Sequence, residues 1–228
     1  MKGRQIILDH IDDREAAALM VDGRLEDLLI DSDAPRPGAI YRAIAQRPMK
    51  GQGGLFLDTP DGTAYLRQIK GIAPGQALLV QVTGYAEPGK AIPVTAKLLF
   101  KSRYAIVTPD APGLNVSRAI RDEEIRKELT ELATEAMTGA DESLGLILRS
   151  VCEDAAEDEI ADDILQMRGL AEAVLNDIEG KPELLVDAPG PHELAWRDWG
   201  DADAVDDSPE ALDHHGVLDQ LAALSGPV

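Results

Sequence analysis

Apolar and polar residues alternate in short runs over the first hundred positions, and the spacing then changes to that of helices. Residues 4–9 (RQIILD), 16–21 (AAALMV) and 24–30 (RLEDLLI) predict short strands, with Asp12-Asp13 and Asp22-Gly23 as the turns between them. SDAPRPG (residues 32–38), with two prolines and a glycine, marks a module boundary. Five further runs follow in residues 39–100: AIYRAI, GLFLDT, TAYLRQ, ALLVQV and IPVTAKLLF. Turns separate them at Gly51 to Gly54, Pro60-Asp61-Gly62, Ala73-Pro74-Gly75 and Glu87-Pro88-Gly89. Five short strands in so little chain predict a small closed barrel of the OB type, an architecture that often binds nucleic acid.

After residue 102 the pattern is mixed. RYAIVTP predicts one more strand and SLGLILRSV (143–151) another. Asp122 is a suitable N-cap, with Glu123 and Glu124 in the first turn of a helix whose apolar positions are Ile125, Leu129, Leu132 and Met137. A second helix is expected over roughly 155–179, with Ile160, Ile164, Met167, Leu170, Val174 and Ile178 as its stripe and Gly180 as its C-cap. ELLVDAP (183–189) reads as a strand, and residues 188–213 read as an acidic loop. HGVLDQLAAL (215–224) predicts a short helix, with Val217, Leu218, Leu221 and Leu224 as an exposed stripe prepared for a neighbour. The fold class expected from these elements is α+β, built of several modules.

Composition narrows the function. One cysteine, Cys152, excludes an internal disulfide and a cysteine-based zinc site, which fits a reducing cytoplasm. His10, His192, His214 and His215 show no metal-ligand spacing, and no apolar run reaches the roughly 18 residues of a membrane span. The net charge of −20 conceals an uneven distribution. Residues 36–104 hold ten Lys and Arg against three acids (Asp58, Asp61, Glu87), whereas residues 105–228 hold eight against thirty. A local basic block is what a phosphate backbone feels, so the acidic total does not exclude RNA.

That block contains Phe56 and Tyr65 on neighbouring strands of one hairpin. Single-stranded RNA binders stack bases on such rings and hold the backbone with Lys or Arg. Phe56 is equally readable as core, while the hydroxyl of Tyr65 argues against its complete burial.

The ordered set GAIYRAIAQRP, GLFLD, GQALLVQV, GKAIPVTAKLLF, RYAIVTPDAPGLNVSRAI and GLILRS resembles the N-terminal half of the ribonuclease E/G family. The most specific part is VSRAI followed about thirty residues later by GLILRS. The resemblance implies a ribonuclease-H-like subdomain (1–35) interrupted by an OB-fold RNA-binding module (36–100) and an α/β 5′-sensor module (101–180), then resumed over 181–228. It implies single-stranded RNA as partner, with Lys90 on its backbone, although Ala91 replaces the second glycine of the family's Gly-x-Lys-Gly loop. It also implies a 5′-monophosphate site formed by Ser102, Ile106, Arg149 and Ser150. Here Ser102 stands where the enterobacterial enzyme has glycine, and Ser150 keeps the hydroxyl of its threonine. A guanidinium beside a hydroxyl suits phosphate oxygens; a surface ion pair is the competing role for Arg149, and an ordinary turn lysine for Lys90.

The family cuts RNA with magnesium held by two aspartates. The stretch that carries one of them is not found in this chain, and Asp201, Asp203, Asp206 and Asp207 are read as a solvated acidic run rather than substitutes for it. No catalytic residue, metal ligand or cofactor is therefore expected here. Magnesium, and homo-oligomers formed through a C-terminal part, are expected of the full-length enzyme. Two other readings compete: a stand-alone, non-catalytic RNA-binding regulator on the same modules, and an acidic protein-interaction module.

Overall fold

The computed structural model describes residues 3–47, 53–67 and 71–224. Its first three strands are β1 (Arg4–Ile11), β2 (Arg14–Val21) and β3 (Arg24–Ile30). The next five are β4 (Ile40–Ala45), β5 (Gly54–Thr59), β6 (Gly62–Arg67), β7 (Ala77–Val82) and β8 (Ile92–Thr95). Then come β9 (Phe100–Lys101), β10 (Ala105–Thr108), β11 (Gly113–Val116), helix α1 (Glu123–Ala136), β12 (Gly145–Leu148) and helix α2 (Glu157–Asn176). The chain continues with β13 (Glu183–Val186), α3 (Pro191–Asp198), β14 (Ala204–Asp206), α4 (Ala211–His214) and α5 (Val217–Leu224). The arrangement is a mixed α+β fold of two compact units, one formed by the segments up to Asp33 and from Pro189, the other by Ala34–Ala188.

In the first unit β1, β2 and β3 form an antiparallel meander and β14 joins β1 in parallel. Both hairpin turns hold their two residues at positive φ: Asp12 and Asp13 at 50° and 63°, Asp22 and Gly23 at 51° and 78°. Such turns match the twist of the paired strands, and Asp tolerates the conformation because its short side chain bonds locally. The alanine-rich β2 is buried on both faces. Ile7, Ala16, Ala18 and Met20 pack with Ala211, Leu212 and Val217, while Ile6, Ala17 and Leu19 pack with Ala195.

Three expectations change in this unit. Residues 188–213 are not a loop; they carry α3, β14 and α4. The acidic run is partly structural: Asp203 accepts a hydrogen bond from the Arg4 amide at 2.7 Å. Asp206 accepts from the Ser208 hydroxyl at 2.6 Å and lies 2.7 Å from His215 Nε2, which holds the Asp206 carboxyl well below the usual range. The C-terminal stripe is not wholly exposed either, because Val217 is fully buried against Met20 and Leu212, although Leu224 is open to solvent.

In the second unit β4, β5, β6, β8 and β7 close into a five-stranded barrel, with β7 returning to β4. Every second residue points inward. Tyr41, Ala43, Leu55, Leu57, Ala64, Leu66, Leu78, Val80, Val82, Ile92 and Val94 form one core cluster. Tyr41 donates its hydroxyl to Asp61 at 2.6 Å, and burial, with that bond, pushes its phenol far above the ordinary value. The expected turn at Gly51–Gly54 begins outside the described residues, as does Gln68 at the end of the expected strand TAYLRQ.

The expected strand IPVTAKLLF is two strands in different sheets. After Thr95 the chain leaves the barrel, and Leu98 and Phe100 turn into the core of a second sheet, ordered β11-β12-β10-β9. That core also takes Leu146, Leu148, Leu129, Ile160 and Ile164, so α1 and α2 cover one face of this sheet. Asp122 caps α1, accepting from the Glu124 and Ile125 amides at 2.9 and 3.3 Å. The strand expected over 143–151 is only Gly145–Leu148, followed by a 3-10 turn at Ser150–Asp154.

Glu183–Val186, placed by the sequence reading in the returning segment, pairs instead with β4 in the second unit. Arg42 holds this junction. It is 4% exposed, donates to the Asp177 and Lys181 carbonyls at 2.9 and 3.1 Å, and pairs with the carboxylates of Asp177 and Glu183. Helix α2 ends at Asn176, and Gly180 is not its cap. Gly180 has φ +144°, and a Cβ there would come within 2.8 Å of the Arg42 guanidinium, so the glycine lets the chain pass over Arg42.

Candidate nucleic-acid interface

The inward alternation of the barrel decides the place of Phe56. Leu55 and Leu57 point in, so Phe56 stands on the outer face, where the β5–β6 register sets it directly opposite Tyr65. The two rings are 5.2 Å apart, tilted by 49°. Gly54 makes room for them: a Cβ there would lie 2.6 Å from the Tyr65 ring and 2.6 Å from the Leu66 carbonyl. This outer face walls a cavity of about 630 Å³, whose lining includes Phe56, Tyr65, Arg67, Tyr85, Glu87 and Lys90. The structure thus brings Phe56, Tyr65 and Lys90 together from three different segments of chain.

Lys90 follows a tight turn. Its amide donates to the Glu87 carbonyl at 2.9 Å, Pro88 and Gly89 are the central residues, and Gly89 has φ +76°. Its ammonium meets Glu87 Oε2 at 2.5 Å with both side chains largely exposed. An exposed pair of this kind contributes about 0–1 kcal/mol, so an incoming phosphate can replace the carboxylate at little cost. Arg67 is exposed and makes no ion pair among the described residues. Two cations of the basic block serve structure instead: Arg42 is buried at the β4–β13 junction, and Arg36 pairs with Asp187 at 2.9 Å. The charge count alone therefore overstates what the surface offers a phosphate. Arg67 and Tyr85 were missed in the sequence. Tyr85, an aromatic in the polar turn GYAEPGK between two strands, carried the available signal.

The second set of residues lies on the β10–β12 sheet. Ile106 pairs with Ile147 across the register, and both are half-buried. Arg149 follows β12; its amide donates to the Tyr104 carbonyl at 2.8 Å, and its Nη1 donates to the Ser102 carbonyl at 2.6 Å. Ser102 donates its hydroxyl to Asp163 Oδ2 of α2 at 2.5 Å, and the Tyr104 amide donates to the same oxygen at 3.1 Å. Cys152, whose thiol burial pushes up to about 11, donates to the Tyr104 carbonyl at 3.3 Å. Ser150 is exposed on the 3-10 turn. Ser102 and Arg149 are thus joined through the backbone, Ile106 lies one strand away, and a carboxylate already engages the Ser102 hydroxyl.

A mixed α+β protein with an OB-type barrel, aromatic and cationic on one outer face, is the class these features define. A sequence model of the Ribonuclease E/G family matches residues 100–213, half of the chain, and the chain belongs to that family. It is similar to Ribonuclease E of Synechocystis sp., at 25% identity over 178 residues, covering 71% of this chain and 26% of that protein. Ribonuclease E of Nostoc sp. is 24% identical over 188 residues, covering 75% and 27%. Ribonuclease G of Escherichia coli K12 is 25% identical over 189 residues, covering 71% and 38%. The chain spans between about a quarter and two fifths of the length of these relatives.

Proposed function

We propose that this chain is the RNA-binding N-terminal portion of a ribonuclease E/G-type endoribonuclease acting in RNA processing or decay, and that it holds single-stranded RNA on the outer face of the barrel. The observation that carries this reading is the convergence of Phe56, Tyr65 and Lys90 on one open cavity. Phe56 and Tyr65 stack bases, and Lys90 exchanges Glu87 for a backbone phosphate. The first unit plays the part of the ribonuclease-H-like subdomain, and the β9–β12 sheet with α1 and α2 that of the 5′-sensor. In that sensor Arg149 and Ser150 take the 5′-monophosphate, with Ser102 and Ile106 beside them. The cytoplasm is the compartment this reading assigns. Among the described residues no helix is long and apolar enough to cross a membrane.

The donors present do not suit magnesium. Among the described residues no three His, Cys, Asp or Glu side chains converge as a ligand set, and Asp203 and Asp206 are engaged by Arg4, Ser208 and His215. The role proposed for the residues present is RNA binding.

The test is the affinity of the full chain for a 5′-monophosphorylated single-stranded RNA and its 5′-hydroxyl twin across a salt series. Salt-sensitive binding that prefers the phosphorylated RNA, with the preference lost in Arg149→Ala, is expected. Equal binding to both removes the 5′-end assignment and leaves the barrel. No binding at low salt refutes the RNA reading and favours the acidic interaction module.

A further inference from the structure

One aromatic wall of the barrel cavity is not explained by the Phe56–Tyr65 pair. Tyr85 lies in the loop between β7 and β8, is 51% exposed, and lines the same cavity as Arg67 and Lys90. The barrel does not need it for packing, because Val82 is the last inward residue of β7 and Ile92 the first of β8. Its hydroxyl has no hydrogen-bond partner among the described residues. A large ring left half in water beside two other rings and two cations is a surface suited to a flat, anionic polymer. Bases offer their faces to such a ring only when they are unpaired.

We propose that Tyr85 is a third stacking platform, which lengthens the single-stranded RNA path over the barrel by one nucleotide beyond Phe56 and Tyr65. Arg67 and Lys90 neutralise the phosphates along that path. The proposal rests on the single-strand-binding reading above and adds to it a binding residue and a longer site. Stacking tolerates any base, so the added position reads strandedness rather than sequence.

The experiment measures the affinity of the full chain for oligouridines of increasing length at one fixed low salt concentration. Unaltered protein is compared with Tyr85→Ala, Tyr85→Phe and Phe56→Ala. Tyr85→Ala is expected to weaken binding of the longer oligomers by roughly 5- to 150-fold, and its affinity should stop rising with length one nucleotide earlier. Tyr85→Phe should retain the original affinity, because the ring and not the hydroxyl makes the contact. If Tyr85→Phe is as weak as Tyr85→Ala, stacking is wrong. If Tyr85→Ala binds normally while Phe56→Ala is weakened, the third platform falls and the barrel reading stands. If the unaltered chain binds no oligomer, both fall. Photocrosslinking of the unaltered protein to 5-iodouridine RNA is independent of any folding defect: an adduct on Tyr85 is expected, and adducts confined to Phe56 and Tyr65 would overturn the proposal.

Discussion

On the barrel, the polar groups offered to a ligand are held by an exposed ion pair and by solvent. At the end of β12, they are held by the protein itself. Lys90 pairs with the exposed Glu87 carboxylate, whereas the Ser102 hydroxyl is engaged by Asp163 and the Arg149 guanidinium by the Ser102 carbonyl. The first arrangement is easily exchanged for a ligand. The second is pre-arranged, so a ligand there gains orientation but must accept a neighbouring carboxylate. Residues of the same chemical type therefore have different uses, decided by what surrounds them.

The largest effect that sharpens this comparison lies inside the barrel. Leu57→Ala, at a fully buried position, should cost about 2–5 kcal/mol in urea unfolding. Its neighbour Phe56→Ala should leave the unfolding midpoint nearly unchanged and remove about 1–3 kcal/mol of RNA affinity. Similar stability losses for both would mean that Phe56 is scaffold.

Next is Asp163→Ala, which removes the carboxylate from the Ser102 hydroxyl, leaving it the Ala105 carbonyl at 3.1 Å, and strips the acceptor from the Tyr104 amide. A loss of about 1–3 kcal/mol is expected, with barrel affinity for RNA retained. Cys152 provides a second readout. Its pKa, raised to about 11 by burial, keeps it a thiol at pH 8, so alkylation of the folded chain is slow and accelerates only as pH approaches that value. Burial is the larger cause of that rise and the Asp163 carboxylate a lesser one, so Asp163→Ala should move the acceleration only slightly towards lower pH. An unaltered pH profile would show that Asp163 does not organise this corner.

Smaller still, Lys90→Ala should leave stability within about 0.5 kcal/mol and lower the slope of log affinity against log salt by about one phosphate contact. An unchanged slope would return Lys90 to the role of a turn residue. The least effect is expected from Glu87→Gln, which releases Lys90 and should tighten RNA binding by less than about 1 kcal/mol. Weaker binding would show that Glu87 positions Lys90 rather than competing for it.

The barrel was legible because its information is local. Period-two alternation, read strictly, already places Leu55 and Leu57 inside and Phe56 outside, although the scarcity of phenylalanine left core burial open as an alternative. The hairpin aspartates and the Asp122 cap were legible for the same reason: each acts on backbone a few residues away. Tyr85 was overlooked because a lone aromatic in a turn has no periodicity to flag it.

By itself, then, the sequence determined most strand and helix periods, the aspartate hairpin turns, the Asp122 cap, the OB-type barrel and the family. Only the tertiary structure decided how the basic residues are used. Arg42 is buried because β13 and the end of α2, some 140 positions further along, close over it. Asp163 reaches Ser102 across 61 positions, and β14 completes the sheet begun by β1 about two hundred residues earlier. Local pattern specifies which face of an element is apolar. It does not specify which distant segment will cover that face, and the covering segment determines whether a charge meets solvent, a ligand or another charge.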